Sequence, residues 1–186
     1  DKKMCGQYYC DSSTFSFLED EEVKMSPGQS IPVLLYFNNK IVITKLRWGY
    51  SLLMNKELII NARCETLFDK KIFQNDIRER RCLIPAKGFY QKDTNQNRIS
   101  FESQQHQTIY FAGIYHNNEV VIITTKANGV MRTVHNRMPL MIPKEKAYQW
   151  LIDGEAYKEL LIFQNEDLKI VSGHLQQTLF EYEHII

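Results

Sequence analysis

Apolar and polar residues along this chain alternate mostly at strand period, with a few interruptions at helical period. CGQYYC reads as a short first strand, and the polar stretch ending in FLEDEEV as a short acidic helix or loop. MSPGQS is a turn cluster. IPVLLYF and KIVITKLRW read as two strands, with Asn38-Asn39 between them as a hairpin connection. RWGY ends the second strand, and SLLMNKELI reads as an irregular loop. In TLFDKKIFQNDIRERR, Phe68, Ile72, Phe73 and Ile77 fall at helical spacing, with Thr66 placed to cap the helix. RCLIPAKGFYQK, RISFES, TIYFAGIY and EVVIITT return to strands, separated by turns at NQNR and HNN. KANGVMRTVHNRMP reads as a long ordered loop, KEKAYQWLI and EAYKELLIF as helices, and LKIVSGH as a closing strand. The expectation is an α+β single domain: a mostly antiparallel, curved β-sheet or barrel with peripheral helices.

Composition narrows this picture only slightly. The chain has 186 residues, 44% hydrophobic and 12% aromatic, which fits one globular domain able to bury its own core. Its apolar runs are strand-length, none spans a membrane, and the start lacks a secretory signal pattern. Four cysteines without such a signal point to reduced thiols in the cytoplasm. The net charge of +1 is uneven: residues 61–100 hold nine Lys/Arg against five Asp/Glu, and residues 151–186 two against seven. A basic centre in a near-neutral chain suits a confined anionic ligand better than a duplex-coating surface. The plainer reading of that excess is a solvated face bearing DIRERR.

Candidate chemistry lies in four separated segments: Cys5-Gly6, NARCET at 61–66, GFYQ at 88–91, and HNRMP at 135–139. Singly, each has a bland reading: a buried first-strand cysteine, an asparagine in turn chemistry, a hydrogen-bonded structural histidine. Together and in this order, with SPG, RWGY, RCLIPAKGFY, FAGIY and IITT-KAN, they resemble the SOS response-associated peptidase (SRAP) family of abasic-site processing proteins. The resemblance covers nearly the whole chain. It implies a curved β-rich fold with a narrow groove for single-stranded DNA, and a reactive cysteine directly behind the initiator methionine.

On that resemblance Met4 is the initiator, residues 1–4 are a leader ahead of the reactive Cys5, and residues 5–186 are one SRAP domain. Freed of the leader, Cys5 carries a thiol and an α-amine on adjacent carbons. The amine can condense with the aldehyde of an open abasic sugar, and the thiol then closes a thiazolidine ring. An unperturbed α-amine has a pKa of about 7.7–8.0, so a sizeable minority is nucleophilic at neutral pH. An internal cysteine cannot close this ring. By the same likeness Asn61 holds the reacting carbon in place, Arg63 reaches a flanking phosphate, and His135 relays a proton. Gly6 permits close backbone approach. Arg137 reads as a phosphate contact or a structural ion pair, and Trp48 as a DNA-stacking platform or, preferably, a core aromatic.

The chain departs from the family at three places. The family's glutamate after Gly-aromatic-aromatic, usually followed by tryptophan, is here Gln91 followed by Lys92. An amide orients but cannot exchange a proton near neutral pH. This leaves an engineered change, a weakly active member, or a member that uses another base. The family's MCGR is MCGQ, so Gln7 lacks a cation, and SLLMN replaces a Pro- and Trp-bearing segment, leaving Leu52, Leu53 and Met54 as a softer apolar wedge. The implied activity is a cytoplasmic bacterial sensor of abasic sites, at the nucleoid during repair, that crosslinks to single-stranded DNA after self-processing. A noncovalent single-stranded DNA binding module with decayed chemistry is the alternative, and a peptidase acting on other proteins through Cys5 and His135 is a third. No metal or other cofactor is implied: Cys5 and Cys10 have no second close pair in Cys64 and Cys82. A monomer without membrane contact is expected.

Overall fold

The computed structural model describes residues 6–19, 21–52, 55–152 and 154–172. In chain order the first strands are β1 Gln7–Cys10, β2 Val23–Met25, β3 Ser30–Phe37, β4 Lys40–Trp48, β5 Tyr50–Leu52, β6 Asn55–Ile59 and β7 Asn61–Arg63. Helix α1, Asp76–Glu79, is followed by β8 Arg81–Ala86, β9 Gly88–Lys92, β10 Arg98–Glu102, β11 Ile109–His116, β12 Glu119–Lys126 and β13 Arg137–Pro139. Helices α2 Ala147–Leu151 and α3 Tyr157–Leu160 precede the last strand, β14 Lys169–Ser172. Among the described residues no helix is long and apolar enough to cross a membrane.

Two sheets carry the fold. One has the order β14-β10-β9-β1-β2, with every neighbouring pair antiparallel. The other runs β11-β8-β3-β4-β12-β13 and curls until β12 meets β11 again, with β7 parallel to β12. The β3–β4 hairpin forms where the sequence places it. Asn38 and Asn39 both take positive φ, 49° and 61°, which gives the two-residue turn whose twist matches the strands. All of β8 is buried because its two faces meet different clusters. Cys82, Ile84 and Ala86 pack with Tyr8, Phe89 and Phe111 between the sheets, while Leu83 packs with Leu67, Ile77 and Trp150 under the helices. Two-sided burial also explains the unbroken apolar run of β12.

Three expectations change here. The stretch 66–81 is not one helix: a 3-10 turn at Cys64–Thr66 leads through turns to the four-residue α1. Helical bonds survive piecemeal, from the Gln74 amide to the Lys70 carbonyl at 3.0 Å and from Ile77 to Phe73 at 2.9 Å. The segment bends to bury Leu67, Phe73 and Ile77 together with Asp76, whose carboxylate accepts from the Tyr50 hydroxyl at 2.9 Å and Arg80 Nε at 2.6 Å. Thr66 caps nothing; its hydroxyl points at the Arg63 carbonyl, 3.5 Å away. The SLLMNKELI segment is a hairpin, β5 with β6, in the register Tyr50↔Ile59 and Ser51↔Leu58. Leu53 and Met54 of the expected wedge lie outside the described residues, and Leu52 is exposed beside them.

The third change is Trp48, which is wholly buried. Its Nε1 donates to the Ile60 carbonyl at 3.0 Å, and its ring stands 5.4 Å from that of Tyr8. No face is open to a nucleobase, so the stacking role is withdrawn and the core role stands.

Gly88 shows how tightly the GFYQ strand is seated. A Cβ there would lie 2.4 Å from the Tyr9 hydroxyl and 2.5 Å from the Phe101 carbonyl oxygen, the latter a backbone atom fixed in the ladder. Gly88→Ala is expected to destabilise the protein by about 1–3 kcal/mol, as overpacking of a filled core does. A urea unfolding midpoint equal to that of the wild type would refute this.

Candidate functional site

The strand β7 is short, yet its parallel pairing with β12 (Asn61 to Ile122, Arg63 to Thr124) fixes the direction of both side chains. Residues two apart share a face, so Asn61 and Arg63 enter the same space while Ala62 is buried behind them. The facing wall comes from 127–137. Here the expected loop contains a 3-10 turn at Gly129–Thr133 and the strand β13, pinned by buried Met131, Val134 and Met138.

His135 is held by its own backbone surroundings. Its amide donates to the Met131 carbonyl at 2.9 Å. Its Nδ1 lies 3.0 Å from the Arg137 amide and 3.2 Å from the Arg137 carbonyl. The backbone therefore occupies Nδ1, and Nε2 is the nitrogen left for chemistry in the cleft.

Arg137 is committed elsewhere than a phosphate. Its two terminal nitrogens donate to the Glu65 carboxylate at 2.6 and 2.9 Å, and Nη2 also donates to the Thr124 carbonyl at 2.8 Å. This bidentate clamp ties β13 to β12 and to the segment after β7, fixing the His135 wall against the Asn61 wall. Of the two readings of Arg137, the structural ion pair is the one realised. The Arg137 hydrogen bond holds the Glu65 carboxyl down at about 2, below its ordinary 4.5. A carboxyl depressed in the fold stabilises above its unfolded pKa and loses that contribution as pH falls through the folded value. Glu65→Gln is therefore expected to cost about 1 kcal/mol at neutral pH, solvent screening limiting a half-exposed pair. The gap from wild type should close between about pH 4.5 and pH 2. Urea unfolding across that range checks it; a gap independent of pH would contradict it.

These walls enclose a cleft of about 1010 Å³, lined by Asn61, Arg63, Lys70, Lys92, Arg132, His135 and Arg137. Asp93 is the one carboxylate among the described lining residues, and it staples its own turn. It accepts from the amides of Asn95 and Asn97 at 2.8 and 2.9 Å and from the Asn97 side chain at 3.0 Å. The cleft is thus cationic and supplied with an imidazole and an amide, a combination that binds an anion and moves a proton beside it.

Gln91 sits next door. It shares the inner face of β9 with Phe89, is buried, and its amide nitrogen lies 3.4 Å from the Lys92 carbonyl. With Gly6, Gln7, Lys92 and Arg98 it lines a smaller cavity of about 420 Å³, and Lys92 lines both spaces. Gln7 donates from its amide to the Ser26 hydroxyl at 3.0 Å. A Cβ on Gly6 would meet no heavy atom within 4 Å, so the packing described here does not itself demand glycine. Cys5, the expected nucleophile, lies outside the described residues. The other thiols are poor nucleophiles: burial pushes Cys10 up to about 12, and raises Cys64 and Cys82 as well.

The structure therefore brings Asn61, Arg63, His135 and Arg137 to one cleft, and Gly6, Gln7 and Gln91 to its neighbour. Reasoning from sequence missed Lys70, Lys92 and Arg132. Lys92 was adjacent to a flagged residue and Arg132 lay inside VMRTVHNR, so the local basic excess was the available signal.

The curled, mostly antiparallel domain thus carries a cationic cleft in which an imidazole and an amide side chain lie together. The family model described as SOS response associated peptidase (SRAP) matches residues 4–172, and the chain belongs to that family. It is 32% identical over 147 residues to abasic site processing protein YoqW of Bacillus subtilis (strain 168), a match covering 68% of this chain and 65% of the relative. Abasic site processing protein YobE of the same organism is 31% identical over 147 residues, covering 68% of this chain and 66% of YobE. The chain thus spans about two thirds of the length of these curated relatives. A crystal structure of a protein from Bacteroides thetaiotaomicron matches with TM-score 0.71 at 17% identity, covering 90% of this chain and 92% of that one. One from Bordetella bronchiseptica matches with TM-score 0.72 at 20% identity, covering 90% and 100%. These two likenesses concern the fold.

Proposed function

We propose that this chain processes abasic sites in single-stranded DNA, binding the strand in the cleft and joining to it covalently through Cys5. The observation that carries the reading is the cleft itself: Arg63, Lys70, Lys92 and Arg132 around Asn61 and His135, with the one carboxylate among the described lining residues, Asp93, accepting hydrogen bonds within its own hairpin. The family and the names of the relatives, abasic site processing proteins, agree with it.

In this reading residues 1–4 are removed and residues 5–186 act as one domain. The freed α-amine of Cys5 attacks the sugar aldehyde at C1′, and loss of one water gives an imine. The thiol adds to the same carbon, its proton passing to nitrogen, and the product is a thiazolidine. His135, with Nδ1 held by Arg137 backbone, offers Nε2 for proton relay during ring opening and dehydration. Asn61 orients the sugar, and Arg63 and its cationic neighbours hold flanking phosphates. The buried Gln91 amide favours a second reading, a noncovalent single-stranded DNA module.

A single-stranded oligonucleotide bearing one abasic site separates the two. The first reading expects a heat-stable shifted band on a denaturing gel, absent with the intact oligonucleotide. Salt-sensitive binding to both oligonucleotides without that band would favour the second.

A further inference from the structure

Lys92 and Arg98 are direct cross-strand partners on β9 and β10. Side chains so opposed have Cβ atoms about 4.5–5.5 Å apart, and like charges in that relation destabilise a sheet. A carboxylate between them would relieve the repulsion. Among the described residues neither cation makes an ion pair. Glu22 accepts from the Tyr90 hydroxyl, and Asp93 accepts from Asn95 and Asn97 within its own turn. The Arg98 guanidinium lies over the Tyr90 ring, 3.5 Å from its centre, which fixes its plane and leaves its N–H edge for an acceptor. Gln7 stands opposite Tyr90 across β1, so Gln7, Tyr90, Lys92 and Arg98 share the outer face of this sheet. That face opens into the smaller cavity of about 420 Å³, and Lys92 belongs to the main cleft as well.

We propose that Lys92 and Arg98 form a second anion subsite that takes a phosphodiester of the same strand held in the cleft. The strand leaves the cleft over the β9–β10 hairpin tip and places a further phosphate between the two cations. A phosphate there removes the repulsion, accepts from the Arg98 edge, and supplies a charge that no side chain among the described residues provides. A polyanion fits better than a small free anion, because the two cationic spaces share Lys92 in their walls. The subsite also returns positive charge beside Gln7, which carries none. This inference rests on the reading of the cleft as a single-stranded DNA site.

The test uses the whole chain with Lys92→Gln, Arg98→Gln and the double substitution, and Arg63→Gln as a report on the cleft. Binding to a single-stranded oligonucleotide without an abasic site is followed by fluorescence anisotropy over a series of salt concentrations. For single strands each neutralised phosphate contributes about 0.7 to the slope of log K against log salt, so loss of the one phosphate held between the two cations lowers it by about 0.7. The double variant is expected to show that loss, with affinity at least about tenfold weaker at low salt. An oligonucleotide too short to reach from cleft to hairpin should bind wild type and Arg98→Gln alike, since Arg98 lines only the smaller cavity. Thermal unfolding without DNA guards against misfolding: the variants should melt no lower than wild type, since repulsion is relieved. An unchanged slope in the double variant, beside a lowered one in Arg63→Gln, overturns the subsite and leaves the cleft reading intact. Salt-independent or absent binding by the wild type overturns the cleft reading, and the subsite with it.

Discussion

Gln91→Glu is expected to accelerate release of the residues ahead of Cys5 by about 10²–10⁴-fold, the usual contribution of a positioned general acid or base. The side chain at 91 lies on the inner face of β9 with little solvent access, beside the cavity lined by Gly6 and Gln7. An amide there can donate and accept hydrogen bonds but cannot exchange a proton. A carboxyl in the same surroundings loses hydration, which disfavours its charged form and raises its pKa toward neutrality. That is the range in which a group can take a proton from an amine and return it to a leaving group. The same desolvation should lower stability as pH rises above the ordinary carboxyl range, because ionisation is then forced on a buried group. Processing followed by intact mass, with urea unfolding at two pH values, reads both effects. Equal processing rates for the wild type and the Gln91→Glu variant would show that position 91 takes no part in proton transfer.

His135→Ala is expected to slow adduct formation by about 10²–10⁴-fold while leaving noncovalent affinity for an intact oligonucleotide within about twofold. His135 lies among the cations to which the proposed reading assigns strand binding, so its removal should spare binding. Its contribution is Nε2, since Nδ1 is engaged with the Arg137 backbone. Forming the imine requires a proton to reach the departing hydroxyl, and an imidazole nitrogen can deliver and take back that proton. A single-turnover time course, with anisotropy as the binding control, separates the two quantities. Parallel losses in rate and affinity would make His135 a binding residue instead. His135→Gln should retain the Arg137 contacts better than alanine and still be slow, which distinguishes lost proton transfer from lost shape.

Much of the scaffold was legible because strand period and turn chemistry agree locally. The β3–β4 hairpin follows from two alternating runs and an Asn-Asn turn, and β8 through β12 from apolar runs separated by turn residues. The stretch 66–81 misled because its apolar residues satisfy helical spacing. Docking against β8 and β11 instead buries Leu67 and the charged Asp76, which no apolar pattern marks. The β5–β6 hairpin was invisible for a related reason: Tyr50, Ser51, Leu58 and Ile59 pair without alternation, and the sequence between the strands, Leu53-Met54, carries no turn residue.

The site was legible in part. Asn61, Arg63 and His135 were found as motif residues, and pairing with β12 brings their segments together. Arg137 could be read two ways from sequence, because only the structure supplies Glu65 as the partner of its guanidinium. Trp48 was ambiguous because buried and stacking tryptophans share the same sequence surroundings; its burial and its Ile60 bond decide the matter. Lys70, Lys92 and Arg132 come from three separate segments, and nothing in their spacing says that they line one space.

The central claim is that a freed Cys5 becomes the point of attachment to an abasic sugar. Its most direct measurement is the intact mass of the product formed with a single-stranded oligonucleotide bearing one abasic site. The account predicts the mass of the chain from Cys5 onward plus that of the oligonucleotide, less one water, stable to heat and missing in Cys5→Ala. No such species from a protein whose Cys5 is demonstrably N-terminal, or an adduct that persists in Cys5→Ala, would contradict it.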